Sequence, residues 1–181
     1  MPHLATYPSL RVWVAGCATG EEAYSMAIVL AEEKLLDRSQ IYATDIDAGS
    51  LEEGRAGSYG LERVRSFSQS YYEAGGTGSL SEHYTTTASR AVFVPRLRER
   101  ILFSDHSLAT DSAFAEVQLI SCRNVLIYFE RALQGRALAL FVEALCQRGF
   151  LGLGGKESIM FTASADALEP FVAEQKIFRK K

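Results

Sequence analysis

Residues Arg11 to Ser25 read RVWVAGCATGEEAYS, and this stretch decides the fold of the chain. An apolar run, Val12 to Ala15, meets a turn that contains Gly16 and Gly20, and two acids open the segment that follows. The pattern predicts a strand, a loop and a helix in that order. The glycines let the backbone turn sharply and approach a ligand closely, while Thr19 is placed to cap the helix.

The charge of this loop limits what it can bind. A dinucleotide loop offers backbone amides to a pyrophosphate at a helix N-terminus, whereas Glu21 and Glu22 occupy that end here. Anions are therefore disfavoured. An isolated pair of glycines is equally consistent with a loop that only joins a strand to a helix.

A second apolar stretch, Ile41 to Asp47 (IYATDID), reduces the weight of that simple alternative. It predicts a second buried strand, and Asp45 lies at its end, one helix-length after the loop. In doubly wound sheets an acid at this place accepts hydrogen bonds from ribose hydroxyls. The two stretches together favour a ribose-bearing ligand without a pyrophosphate. S-adenosylmethionine fits that description, and its sulfonium and ammonium groups suit a site lined by carboxylates.

Composition indicates one globular domain. The chain has 181 residues, of which 48% are hydrophobic and 23% charged, so a full core is expected in a single domain. The net charge of -3 argues against a nucleic-acid partner. Basic residues cluster at 90–100 and 176–181, but no stripe of alternating basic and aromatic residues accompanies them, and a solvated face is the interpretation favoured for each.

The cysteines and histidines give no sign of a disulfide framework or a metal site. Three cysteines form no CxxC pair, and three histidines are scattered along the chain. This usage indicates a reducing compartment. Because the sequence has neither a signal peptide nor a run of 18 apolar residues, it predicts a cytoplasmic protein without membrane insertion.

The first third of the chain alternates further elements. Residues 1–10 carry two prolines and no periodic pattern, and are interpreted as a linker remnant. Apolar residues at helical spacing from Tyr24 to Leu35 predict a helix packed on the sheet. Ser50 is expected to cap a short helix that runs to Arg55 and ends at Gly57.

Residues 66–87 are rich in Ser, Thr, Gly and Tyr, and indicate an insertion or a flexible loop. Tyr84 to Thr87 and Ala91 to Val94 alternate in polarity and predict a small antiparallel hairpin before a strand at Ile101 to Phe103. An exposed loop without a function is the competing interpretation. If the hairpin forms, its edge is available for a partner that adds a strand.

A third apolar run, Val117 to Ser121, predicts a strand that carries Arg123, Asn124 and Tyr128 at its carboxyl end. Ligands bind at the carboxyl ends of parallel strands, so these residues are candidates for a site. Asn124 is the only asparagine in the chain, and its amide can both donate and accept. A turn-forming asparagine is an equally weighted alternative.

The last third predicts a helix at 130–147, strands at 149–153 and 158–162, and a final edge strand at 172–178. Alternation of strands and helices indicates an α/β sheet that is parallel in most of its extent. The motifs of dinucleotide-dependent dehydrogenases, P-loop proteins, serine hydrolases with a nucleophile elbow, and HExxH proteases are all missing from the sequence.

Four segments together resemble the chemotaxis-receptor glutamate methyltransferases of the CheR type. The segments are AGCATGEEAYS, ATDID, ISCRNVLIYF and FLGLGGKES, and the resemblance covers roughly residues 11–180. It implies a class I S-adenosylmethionine-dependent methyltransferase: a Rossmann-like, doubly wound, mostly parallel sheet with a small three-stranded antiparallel insertion at about 70–100. In some members of the family this insertion grips a receptor tail.

The resemblance also implies a set of site residues. The cofactor site would comprise Ala15, Gly16, Cys17, Thr19, Glu21, Glu22, Asp45, Ile46, Ser107, Leu108, Arg123 and Asn124. Glu22 or Glu21 would face the amino-acid portion of the cofactor, and Asp45 would hold its ribose. Arg123 and Tyr128 would be catalytic, with Tyr128 bordering the substrate pocket. Ser107 and Leu108 stand where the family has an Asn-Leu pair near the adenine.

The activity implied is methyl transfer from S-adenosylmethionine to glutamate carboxylates of chemotaxis receptors, with S-adenosylhomocysteine as the product. The alternative is a regulatory module that binds either cofactor form and transfers nothing. The family's N-terminal helical domain, which closes over the cofactor, is expected to be absent from these 181 residues. Weak or no transfer by the isolated chain is expected for that reason.

Overall fold

The computed structural model describes residues 2–76, 78–160 and 162–181. Its strands are Leu10–Ala15 (β1), Ser39–Asp45 (β2), Ser58–Gly60 (β3), Tyr84–Thr86 (β4), Arg90–Phe93 (β5), Ile101–Asp105 (β6), Val117–Cys122 (β7), Leu145–Leu153 (β8), Leu168–Val172 (β9) and Ile177–Lys180 (β10). Its α-helices are Glu21–Glu32 (α1), Ala48–Ala56 (α2), Leu61–Glu73 (α3), Pro95–Arg98 (α4) and Arg131–Ala144 (α5).

Seven strands form the main sheet in the order β6-β2-β1-β7-β8-β10-β9. The five strands from β6 to β8 are parallel, whereas β10 runs antiparallel to both of its neighbours. The order reverses at β1, from which the chain moves first to one side of the sheet and later to the other. This is the doubly wound arrangement of class I methyltransferases that the resemblance to the CheR family implied.

Helices cover both faces of the sheet, because successive side chains of a strand point to opposite sides. On one face Val12 and Val14 pack with the buried residues of α1. On the other face Trp13 packs with Phe141 of α5, their rings 5.3 Å apart and nearly perpendicular. The predicted stripe is confirmed on α1, where Tyr24, Ala27 and Ile28 are buried and Ala31 is half-buried; its last residue, Leu35, is also buried but lies beyond the end of the helix.

A second, three-stranded antiparallel sheet has the order β3-β5-β4. The predicted hairpin is therefore present as β4 and β5. The prediction of a flexible loop from residue 66 is wrong for the first part of that segment, because α3 extends to Glu73. Thr77, which is part of the same prediction, lies outside the described residues. The small sheet and α3 span residues 58–93, whereas the sequence placed the insertion at about 70–100.

Two aromatic contacts attach this small sheet to the main domain. Tyr24 of α1 stacks on Phe93 of β5, with ring centroids 4.4 Å apart. The hydroxyl of Tyr59 in β3 donates a hydrogen bond of 2.6 Å to the carbonyl of Thr19, in the loop after β1. All three aromatic residues are buried, and the burial of their apolar surface stabilises the small sheet against the domain.

Two helix boundaries differ from the prediction. The N-cap of α2 is Asp47 instead of Ser50, because its carboxylate accepts a 2.6 Å hydrogen bond from the Ser50 backbone N–H. The predicted end at Gly57 is confirmed by its left-handed backbone, φ +58°. The helix expected over 130–147 ends at Ala144, since Leu145 adopts an extended conformation and starts β8.

The predicted strand at 158–162 is wrong for its described residues, and Phe161 lies outside them. Ile159 is buried in the core, so its apolar character reflects packing instead of strand pairing. The predicted edge strand at 172–178 is also wrong. Residues 173–175 form a 3-10 turn and Lys176 adopts φ +53°, so residues 173–176 are the turn between edge strand β9 and internal strand β10, and only the two ends of the predicted segment lie in strands.

Candidate active site

The carboxyl ends of the parallel strands meet at one edge of the sheet, and the loops that follow them hold the predicted site residues. In register, Ala15 pairs with Thr44, Asp45 with Asp105, and Cys122 with Leu153. The structure therefore brings together, on adjacent loops, residues that lie up to 113 positions apart (15 to 128). Such an edge at the reversal of strand order is where doubly wound proteins bind ligands.

The loop after β1 is shaped by its glycines, as predicted. Gly16 and Gly20 have φ values of +69° and +94°. A Cβ on Gly16 would lie 2.4 Å from the Val125 side chain in the loop after β7, so only glycine fits there without movement. Ala15 itself is buried. The backbone carbonyl of Thr44 accepts hydrogen bonds from the N–H groups of Gly16 and Cys17.

Thr19 does not cap α1, contrary to the prediction. The N-cap is Gly20, and among the described residues no side chain caps the helix. The Thr19 hydroxyl instead donates a 2.7 Å hydrogen bond to Glu21 and accepts one of 2.9 Å from Arg63 of α3. Arg63 also forms an ion pair with Glu21 and a second, at 3.1 Å, with Glu53. The charge of Glu21 is therefore already compensated by the insertion.

Glu22 has a different environment. Its carboxylate accepts a hydrogen bond from the hydroxyl of Ser121, a buried residue on β7. Glu22 and Arg123 also line one cavity of about 500 Å³ between α1 and the insertion. Of the two acids predicted to face a ligand's ammonium group, Glu22 is the one whose charge is not compensated by an ion pair among the described residues.

Asp45 closes the loop after β1. One carboxylate oxygen accepts a 2.8 Å hydrogen bond from the Ala18 N–H, and the other accepts from Ile46 and Asp47 at 2.8 and 3.1 Å. The side chain of Ile46 is 73% exposed beside it. A half-buried acid next to an unusually exposed apolar side chain is consistent with a ribose and an adjoining flat, apolar base.

The loop after β6 leaves fewer side-chain groups free for a ligand than the sequence suggested. The Ser107 hydroxyl accepts hydrogen bonds from the N–H groups of Ala109 and Thr110, both at 3.3 Å, so it stabilises its own turn. Leu108 is 7% exposed and packs in the core. Any contact of Leu108 with a ligand is therefore made by its backbone. The neighbouring His106 is buried too, with Nε2 3.1 Å from the carbonyl of Ser112.

The loop after β7 carries the residues predicted to be catalytic. Arg123 and Asn124 are exposed, and Asn124 has a left-handed backbone with φ +60°. Tyr128 ends a 3-10 turn, Leu126–Tyr128, and its side chain is 80% exposed. Among the described residues, the Asn124 amide and the Tyr128 hydroxyl form no hydrogen bond within the chain. Both are free to contact a ligand.

Glu157 is a residue of this edge that sequence reasoning missed. It is only 4% exposed, and its carboxylate accepts hydrogen bonds from the N–H groups of Val125, Leu126 and Gly154 at 2.9, 2.8 and 2.6 Å. These bonds fix the loop after β7 to the loop after β8. No sequence signal identifies this role, because a glutamate after GGK is ordinarily solvated.

The cysteines are free, and two lie near this edge without being suited to nucleophilic chemistry. Burial raises the pKa of Cys17 to about 12, with the charge of Asp45 adding to the effect. Burial also raises the pKa of Cys122. Both thiols are therefore protonated at neutral pH. In the described ranges no three His, Cys, Asp or Glu residues are grouped to hold a metal ion, and no helix there has the length and apolarity to cross a membrane.

Solved structures support the fold. A TehB-like S-adenosylmethionine-dependent methyltransferase from Corynebacterium glutamicum superposes with a TM-score of 0.54 at 14% identity, covering 97% of this chain and 81% of that one. A glycopeptide N-methyltransferase, MtfA, complexed with sinefungin, gives a TM-score of 0.52 at 10% identity over 84% of this chain and 45% of that one. At such identities these likenesses concern the fold alone.

Sequence relatives are more specific. The family described as CheR methyltransferase, SAM binding domain, matches residues 2–174. The protein Cher3 of Pseudomonas putida is 54% identical over 99% of this chain, and a chemotaxis protein methyltransferase of Listeria monocytogenes is 33% identical over 83%. The chain spans 66% and 55% of their respective lengths, less than two thirds of each. It belongs to the CheR methyltransferase family and carries that family's S-adenosylmethionine-binding domain.

Proposed function

We propose that the chain transfers methyl groups to glutamate carboxylates of chemotaxis receptors and so forms glutamyl methyl esters. The observation that carries this proposal is the loop after β7. It presents Arg123, Asn124 and the 80% exposed Tyr128 at the same edge as Asp45, within a family of chemotaxis methyltransferases. A cation, an amide and a phenol are groups that bind and orient a carboxylate.

The residues of this edge fit the cofactor. An ionised carboxylate has about four lone-pair sites, and Asp45 uses three, so one remains for a ribose hydroxyl. Ile46 offers an exposed apolar surface to the adenine. Glu22 would attract the cofactor's ammonium group, and the backbone of Gly16 allows close approach. Arg123 and Asn124 would lie at the methionine end.

The chain's own residues have a limited chemical task. S-adenosylmethionine supplies the methyl group on a sulfonium and is released as S-adenosylhomocysteine. The substrate glutamate is already ionised at neutral pH, so no general base is needed. Tyr128 and Arg123 would hold the attacking carboxylate oxygen in place. Such positioning contributes up to about 7 to 11 kcal/mol to a reaction barrier.

A receptor tail is a second proposed contact, at the small antiparallel sheet. β4 is an edge strand of that sheet and pairs only with β5 among the described strands. Thr85 and Thr86 of β4 are exposed. An extended peptide that adds to this edge would form backbone hydrogen bonds to it, which is a common mode of peptide recognition.

Methyl transfer to receptor cytoplasmic fragments tests the proposal. Labelled S-adenosylmethionine should yield base-labile methanol, which is diagnostic of esters, and Tyr128→Phe and Arg123→Gln should lower kcat at least tenfold. Calorimetry with S-adenosylhomocysteine provides the control, because neither substitution should abolish cofactor binding. A transferred label that is stable to base would contradict the proposal, and cofactor binding without any transfer would favour the regulatory module instead.

A further inference from the structure

A small cavity lies beside the loop after β7, outside the residues assigned to the cofactor. It has a volume of about 270 Å³ and is bounded by the turn Leu126–Tyr128, the start of α5 and the loop after β8. Cavities that hold whole small molecules are about 300 to 1,000 Å³. This one is therefore sized for a side chain or two projecting from a larger partner.

Most polar groups in the cavity wall are already hydrogen-bonded. The Gln134 amide donates to the carbonyls of Leu126 and Phe129 at 3.0 and 2.9 Å. Glu157 accepts from three backbone N–H groups, and the Thr162 hydroxyl donates 2.7 Å to the Ile159 carbonyl. These groups have bonding partners inside the protein, so they do not define what the cavity binds.

Two cations in the wall are different. Arg131 and Lys156 are exposed, and within the described ranges neither side chain forms an ion pair or a hydrogen bond. Several other arginines of the chain, such as Arg63, Arg96 and Arg179, are paired with carboxylates. The chain as a whole has a net charge of -3, so this local excess of positive charge selects for a partner with carboxylates.

Apolar side chains complete the surface. Ile127 and Met160 line the cavity and are 42% and 64% exposed, and Tyr128 follows Ile127 in the same turn. Clustered exposure of large apolar side chains beside unpaired charges is typical of a protein-binding surface. Because Tyr128 is the residue proposed to orient the reacting carboxylate, a partner on this surface lies next to the reaction site.

We propose that this cavity is the docking surface for the acidic segment of the protein substrate that flanks the target glutamate. A carboxylate of that segment pairs with Arg131 and Lys156, and its apolar side chains cover Ile127 and Met160. The inference rests on the proposed function and specifies which part of the substrate is recognised away from the reacting group.

The test is the double variant Arg131→Gln/Lys156→Gln in the full chain. The KM for a receptor cytoplasmic fragment should rise at least tenfold, while kcat and the Kd for S-adenosylhomocysteine change less than twofold. The matched control is Lys34→Gln/Arg148→Gln, which removes the same charge from exposed positions near the amino ends of the strands. Its KM should stay within twofold of wild type.

A binding measurement separates this inference from the proposed function. Fluorescence anisotropy of the labelled receptor fragment, with S-adenosylhomocysteine present, needs no turnover. Tenfold weaker binding by the double variant, with the control unchanged, supports the docking surface even if the chain transfers no methyl group. Equal binding by wild type and the double variant, equal weakening by the control, or no binding of the fragment by wild type overturns it.

Discussion

Asp45 and Glu157 lie at the same edge of the sheet and form the same kind of bond, yet they serve different purposes. Each carboxylate accepts hydrogen bonds from three backbone N–H groups. Asp45 is half-buried and borders the exposed Ile46, whereas Glu157 is 4% exposed. Asp45 can therefore still reach a ligand, while Glu157 acts only through the loops that it holds.

The difference shows how this edge is organised. One carboxylate closes the loop after β1 and the other joins the loops after β7 and β8. The loop after β1 and the loop after β7 are in contact where Gly16 lies against Val125, and the N–H of Val125 donates a hydrogen bond to Glu157. The residues proposed to face the cofactor and those proposed to face the substrate are thus positioned by one connected set of contacts.

The largest effect is expected for Glu157→Ala. It leaves three backbone N–H groups without their acceptor, and each unsatisfied buried donor costs about 1 to 3 kcal/mol. The free energy of unfolding, measured in urea, should fall by about 3 kcal/mol or more. Glu157→Gln should lose less stability, because its amide oxygen still accepts hydrogen bonds from two of the N–H groups. Its NH2 group would face the Gly154 N–H, so that one bond is lost.

Glu143→Ala on α5 is the control for this experiment, since Glu143 is exposed and forms no hydrogen bond within the described residues. It should change stability by less than about 0.5 kcal/mol. A Glu157→Ala protein as stable as the control would show that the three bonds do not hold the loops.

The contact between the two loops is tested by Gly16→Ala. The left-handed backbone costs an alanine about 1 to 2 kcal/mol, and overlap with Val125 adds about 1 kcal/mol or more. We expect a total loss of about 2 to 3 kcal/mol in urea unfolding. Adding Val125→Ala should recover the overlap cost and leave the backbone cost. If the two substitutions change the free energy of unfolding by strictly additive amounts, the contact between Gly16 and Val125 does not couple the loops.

Asp45→Ala should give the smallest change in stability, and it tests whether Asp45 binds the cofactor. Part of its hydrogen bonding is replaced by water, so the loss should be about 1 kcal/mol. Calorimetry should show S-adenosylhomocysteine binding at least tenfold more weakly. Asp105→Ala is the matched control, because Asp105 pairs with Asp45 in register and is exposed. Similar affinity for both variants would remove Asp45 from the cofactor site.

Much of the fold could be predicted from local pattern. The strand, loop and helix around Gly16 and Gly20 were evident because apolar runs and glycine positions report local conformation directly. The strand at 158–162 was predicted wrongly, since an apolar residue such as Ile159 can be buried without pairing in a sheet. Strand β3 was missed because three residues, Ser58–Gly60, are too few to show a period.

The sequence by itself determined that the chain forms an α/β sheet with mostly parallel strands, and that Asp45, Arg123, Asn124 and Tyr128 lie at the carboxyl edge of that sheet. Those features follow from periodicity and from the rule that parallel strands end together. The tertiary structure alone decided the partners of the charged groups. That Arg63 compensates Glu21, and that Glu157 is enclosed while Arg131 and Lys156 are not, depends on which segments pack within about 3 Å of each other. The contacts of Arg63 with Glu21 and of Glu157 with Val125 join residues 42 and 32 positions apart, and no local pattern encodes them.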